Sequence, residues 1–233
     1  MNDTTLNNSI LRRLPENERK LVLSRCEYIH LDTEDVLIER DAPIANAFFP
    51  ETGLISMVAF VDEEAVEVAT VGFEGLVGIP MVLGELETSG KVFCQIPGAG
   101  YNMSAKDFME KVLPACPQLW NLSRRYIQFV FDQAGQNSGC NRVHSIEERC
   151  AKWLLLSHDR CRTDRFELTQ KFLAQMLGVR RQSVSMAAGA LQHAGMIRYS
   201  RGHIEILNRA LLEETTCECY SVIRHGLQRF LGH

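Results

Sequence analysis

Arg180-Arg181-Gln182-Ser183 follow directly on Gly178-Val179, a pair that reads as a tight turn. Basic and amide side chains that open a helix after such a turn are the kind a major groove receives. The flanking residues say how they would be held. Thr169 reads as an N-cap, and Phe172, Leu173, Met176 and Leu177 recur with helical spacing. After the turn, Val184, Ala187, Ala188 and Leu191 line the inner side of a second helix that Gly195 ends. Ile197–Ser200 and His203–Ile206 read as two short strands around a turn at Arg201-Gly202. Helix, turn, helix and hairpin make a winged helix-turn-helix. The plainer alternative is a small helical subdomain with exposed arginines.

Charge supports the first reading. The chain has 233 residues and a net charge of −4. Residues 1–159 hold 14 basic against 23 acidic residues, a net of −9, whereas residues 160–233 hold 11 against 6, a net of +5. A basic excess that coincides with the helix-turn-helix is expected where one domain meets phosphates and the other does not. With 45% hydrophobic residues the chain can bury an ordinary core. It has no run of eighteen apolar residues, so no membrane partner is expected. Its start lacks the charged-then-apolar order of a secretory signal, so the expected location is the cytoplasm.

The elements that would carry the motif follow in order. Residues 14–28 predict a helix, and residues 29–103 predict short strands punctuated by glycines, with a hairpin turn at Asp62-Glu63-Glu64. That pattern points to a β-sandwich or jelly roll. Ser104 caps a short helix to Val112, and Pro114 and Pro117 bracket a break. A longer helix runs from about Gln118 to Asn137. On it Leu119, Leu122, Tyr126, Phe129 and Gln133 are spaced like the seam of a coiled coil, with Val130 widening the apolar surface. The spacing predicts an interface with a second copy; burial within one subunit is the alternative. Another helix starts at Ser145, and a last one is expected to run unbroken from Arg209 to Leu231. The expected division is a jelly-roll domain over 1–113, a dimerisation helix over 114–143, and a winged helix-turn-helix with a C-terminal helix over 144–233.

Taken together, these elements resemble the Crp/Fnr family of bacterial transcription regulators, from Leu14 to about Asn208. The resemblance implies an α+β fold: an N-terminal cyclic-nucleotide-binding-like jelly roll, a long dimerisation helix and a C-terminal winged helix-turn-helix. It implies a homodimeric, sequence-specific regulator that binds double-stranded DNA at a pseudo-palindrome and meets RNA polymerase. Family members carry Arg-Glu-Thr-Val where this chain has Arg181-Gln182-Ser183-Val184. By that match Arg181 contacts guanine O6 and N7, and Gln182 can donate as well as accept. A second family arginine falls at Met186. The implied contact set is Thr169, Gln170, Lys171, Arg180, Arg181, Gln182, Ser183, Ser185, Arg201 and His203. Within it Thr169, Gln170 and Lys171, with Arg201 and His203 of the wing, would hold phosphates.

The effector pocket fits the resemblance less well. Gly78 stands where nucleotide-binding members have glycine, but Ile79 replaces the glutamate that holds ribose. The phosphate position falls at Thr88-Ser89-Gly90 without an arginine, and Lys91 is the nearest cation. A desolvated phosphate needs an opposing charge or several donors. Regulation independent of cyclic AMP is therefore expected, with gating by another small-molecule effector as the alternative. The N-terminal cysteine cluster of iron–sulfur members is absent, and His30 or His144 alone would have to ligate a haem. The eight cysteines form no CxxC and no Cys/His pattern read as zinc spacing; Cys217-Glu-Cys219 supplies two ligands only. No cofactor and no metal are expected. No P-loop, GxSxG or HExxH motif points to an enzyme.

Overall fold

The computed structural model describes residues 6–62 and 64–232. Two short helices, α1 (Ser9–Arg12) and α2 (Glu16–Leu23), open the chain. Asn8 caps α1 by accepting from the amides of Ile10 and Leu11. Seven strands follow: β1 (Glu27–Leu31), β2 (Val36–Ile38), β3 (Asn46–Pro50), β4 (Leu54–Val61), β5 (Glu64–Val71), β6 (Lys91–Ile96) and β7 (Gly98–Ser104), with the short helix α3 (Ile79–Val82) between β5 and β6. They form two antiparallel sheets, ordered β2-β6-β4-β5 and β1-β7-β3, and Phe48, Phe49, Leu54 and Ile55 are buried in the core. This is the expected jelly roll. β4 and β5 form the expected hairpin, although Glu63 of its turn lies outside the described residues.

After β7 the predicted helix to Val112 is only partly α. Ser104 caps α4 (Ala105–Asp107) as expected, and the chain then widens into a π turn over Phe108–Val112. The long helix α5 runs from Pro117 to Val143, six residues beyond the expected end. Its predicted seam faces inward. Leu119, Leu122, Tyr126, Phe129, Val130 and Gln133 are all buried within the single chain. The ring of Tyr126 fills the space beside Gly75, where any Cβ would collide with it. The side-chain amide of Gln133 lies within hydrogen-bond distance of Thr70 of β5. Phe129 stacks on Phe230 at 6.4 Å between ring centroids, where the last helix lies along α5. The apolar surface expected to meet a second chain is thus used inside the first. A different stripe, one residue on, points outward: Trp120, Arg124 and Phe131 are exposed and Ile127 is half-buried. It continues at Gly135 and Gly139, where a Cβ would meet nothing.

The helix α6 (Ile146–Cys161) starts with a reciprocal cap between Ser145 and Glu148. The C-terminal unit then comprises β8 (Arg165–Glu167), α7 (Gln170–Leu177), α8 (Arg181–His193), β9 (Ile197–Ser200) and β10 (His203–Ile206), with wing order β8-β10-β9. The third strand, β8, was not predicted. The expected final helix is broken into α9 (Arg209–Thr215) and α10 (Cys219–Leu231), with Thr216 extended between them. The β-branched pair Thr215-Thr216 favours that break. Arg13 Nη1 donates to the carbonyl of Phe230 at 2.8 Å, which ties the end of α10 to the start of the chain. Among the described residues no helix is long and apolar enough to cross a membrane.

Candidate nucleic-acid interface

The local signals of the helix-turn-helix are met one by one. Thr169 Oγ accepts from the amide of Phe172 at 3.2 Å and caps α7. Gly178 ends α7 at φ +60°, a left-handed conformation that favours glycine. Val184, Ala187, Ala188 and Leu191 are buried under α8. Gly195 has φ +73°, and Arg201 and Gly202 both have positive φ in the two-residue turn of the wing.

This scaffold leaves Arg180, Arg181 and Gln182 exposed at the start of α8. Met186, one turn on from Gln182, is 69% exposed and offers a methyl group to the same side. Ser183 is half-buried. Ser185 Oγ donates to Gln170 Oε1 at 2.7 Å, so these two predicted contact residues brace α7 against α8. Lys171 is exposed, as are Arg201 and His203 on the wing. Behind the tip, Arg165 and Arg198 both pair with Glu205, at 2.6 and 2.5 Å.

The unit is packed against the jelly roll. Phe172 meets Phe93 of β6 edge to face at 5.7 Å, and Gly178 lies against Val66 of β5. Thr169, Arg201 and His203 line a crevice whose other wall is Thr33, Glu34 and Gln95. Thr169 and the wing tip therefore look toward the jelly roll, while Lys171 and the start of α8 are open.

Two buried polar links, which the sequence reading did not find, join the jelly roll to α6. Glu74 and Arg160 form an ion pair at 2.8 Å with almost no exposure, and Glu74 also accepts from the amide of Gly72. Glu67 of β5 accepts from Trp153 Nε1 at 3.0 Å and contacts Ser56 Oγ at 2.7 Å. Burial raises the Glu67 carboxyl to about 7, against the opposing pull of Ser56, Trp153 and the charges of Lys152 and Arg160. Ser56 Oγ also faces Gln95 Oε1. A proton on Glu67 lets its carboxyl donate to Ser56 Oγ and leaves the hydroxyl hydrogen for Gln95.

The predicted effector residues do come together. Gly78, Thr88, Ser89 and Lys91 line a cavity of about 190 Å³ with Ile38, Met57, Val58, Leu76 and Val92. Among the described lining residues Lys91 carries the charge, and its Nζ is held by Glu39 at 3.2 Å. The cavity is thus apolar, with its cation already paired.

Cys217 and Cys219 also have company that the sequence reading missed. Cys140 and His144, four residues apart on one face at the end of α5, lie against them. That i, i+4 spacing was the available signal. The Cys140 thiol is drawn down, first by its hydrogen bond with Cys217 and further by Lys152, while burial opposes; Cys217 is pushed up, first by the same bond.

Residues 148–215 match the family described as a Crp-like helix-turn-helix domain. Among solved structures the chain is similar to FixK2 from Bradyrhizobium japonicum, at 14% identity over 82% of this chain and 98% of that one, with a TM-score of 0.68. It is similar to CLP, a c-di-GMP responsive global regulator from Xanthomonas campestris, at 11% identity over 82% and 99%, with a TM-score of 0.66. It is also similar to TTHA1359, a transcriptional regulator of the CRP/FNR family from Thermus thermophilus, at 18% identity over 81% and 97%, with a TM-score of 0.61. No curated protein matches the chain.

Proposed function

We propose that this chain, a Crp/Fnr-type transcription regulator in its fold and its Crp-like helix-turn-helix domain, acts as a homodimer on a pseudo-palindromic DNA site without cyclic AMP. The observation that carries the reading is the open start of α8, where Arg180, Arg181 and Gln182 are exposed on a firmly braced helix. Arg181 reads guanine through O6 and N7, Gln182 reads a neighbouring base, and Met186 suits a thymine methyl. Thr169, Gln170, Lys171, Arg201 and His203 grip phosphates and set the register. The outward stripe Trp120, Ile127 and Phe131 pairs two copies, with Gly135 and Gly139 admitting close approach of the helices. RNA polymerase is the further partner. Independence from cyclic AMP is supported by the apolar cavity, where Lys91 is already paired with Glu39.

A second reading, gating by a different small molecule, is favoured by one observation. Thr169, Arg201 and His203 line the crevice against the jelly roll, so DNA must compete with that packing. A ligand that binds the undocked form better shifts the balance toward DNA binding.

The test is selection from a random duplex library with the purified full chain at one fixed salt concentration, with and without cyclic AMP. The expected product is an inverted repeat, its half-sites about one helical turn apart, enriched equally in both arms. Arg181→Ala should cost about 1–3 kcal/mol at one base position per half-site. Equal weakening on all sequences would remove Arg181 from base readout, and enrichment only with cyclic AMP would overturn the reading of the cavity.

A further inference from the structure

Four donor atoms converge where α5 ends. Cys140 comes from the last turn of α5 and His144 is the residue that caps its end, while Cys217 and Cys219 come from the junction between α9 and α10. The three sulfurs and one ring nitrogen of His144 all lie within 4.8 Å of one another. Cys140 Sγ is 3.6 Å from Cys217 Sγ, and Cys219 Sγ is 3.6 Å from His144 Nδ1. Zinc bonds of about 2.3 Å to sulfur and about 2.0–2.1 Å to nitrogen, at tetrahedral angles, separate two sulfurs by about 3.8 Å and sulfur from nitrogen by about 3.6 Å. The observed spacings lie close to both.

The surroundings are those of a metal site rather than of packed thiols. His144 Nε2 faces Glu218 Oε2 at 3.2 Å, which places its proton on the outer nitrogen and turns the Nδ1 lone pair toward the sulfurs. Lys152, itself buried, donates to Cys140 Sγ at 3.3 Å and to Asn137 Oδ1 at 2.7 Å. Gln136 Nε2 donates to Cys219 Sγ at 3.1 Å. Three thiolates around a dication leave one negative charge, which Lys152 offsets. The three cysteines are buried, so four protein ligands close the site with no open position for a substrate.

We infer that Cys140, His144, Cys217 and Cys219 bind one zinc(II) ion in a tetrahedral structural site. Soft sulfur donors with one imidazole in tetrahedral array select zinc among common divalent ions. Binding releases the remaining thiol protons to solvent. The ion clasps the start of α10 to the end of α5, at the point where the chain turns into α6 and the DNA-binding unit. It also explains the broken C-terminal helix, because an unbroken helix would carry Cys217 and Cys219 to different faces.

The test uses the full chain purified without chelator. Elemental analysis should find one zinc per chain, and cobalt(II) exchanged for it should give the visible bands of a tetrahedral thiolate site. Cys219→Ser and His144→Ala should abolish metal retention. Glu218→Gln keeps all four ligands and alters an exposed side chain, so it should fold while weakening zinc affinity by about 10–100-fold in chelator competition. A folded wild-type chain that takes up neither zinc nor cobalt, or a Cys140–Cys217 disulfide in the freshly purified protein, would overturn the assignment. So would zinc whose affinity is unchanged in all three variants.

Discussion

Replacing Glu67 by glutamine isolates the link between β5 and α6. In the unfolded chain a glutamate titrates near 4.5, whereas burial beside Trp153 and Ser56 holds it at about 7 in the fold. Between those values the folded chain keeps a proton that the unfolded chain has released. The stability tied to this group is therefore fully present below about pH 4.5, falls as pH rises to about 7, and is flat above that. A difference of about 2.5 pH units corresponds to about 3 kcal/mol. Glutamine keeps the shape, accepts from Trp153 through its oxygen and donates to Ser56 through its nitrogen, but does not titrate. Chemical denaturation of both proteins from pH 4 to 8 should show the Glu67→Gln chain gaining on wild type by about 3 kcal/mol across that window. In a chain of this length the melting temperature should move by on the order of 10 °C. A mutant-minus-wild-type difference that stays constant with pH would refute the reasoning, because it would mean that Glu67 titrates as an ordinary exposed carboxylate.

Two further outcomes are expected. Phe131→Asp, on the outward stripe of α5, should convert a dimer to a monomer in sedimentation while changing the stability of each chain by no more than about 0.5 kcal/mol; an unchanged mass would rule out that stripe as the pairing surface. Phe93→Ala removes an edge-to-face contact with Phe172 worth about 0.5–1.5 kcal/mol beyond its buried area, so the undocked winged unit should bind DNA up to about tenfold more tightly at temperatures where the chain stays folded. Unchanged or weaker binding would show that docking on the jelly roll does not compete with DNA.

Much of the DNA-binding unit was legible because its signals are local. Thr169 as cap, Gly178 and Gly195 at positive φ and the Arg201-Gly202 turn each act on the backbone within a few residues. The strands of the jelly roll were legible for the same reason: glycines and short β-rich runs mark turns wherever the chain folds back. Periodicity along α5 showed that the helix has an apolar seam. It could not show which seam, because Leu119, Tyr126 and Val130 run one residue behind Trp120, Ile127 and Phe131, and both sets fit a helical repeat. Packing against α10 and the jelly roll decided that the first set lies inside. The remaining decisions join positions far apart in the chain. Glu67 meets Trp153, Glu74 meets Arg160, and Cys140 and His144 meet Cys217 and Cys219 only after the chain has folded. A carboxylate or a thiol looks the same in sequence whether it faces water or a buried partner. By itself the sequence determined the turns of the winged unit and which helix opens on arginines; the tertiary structure decided which polar groups leave water together, because only burial makes their partners matter.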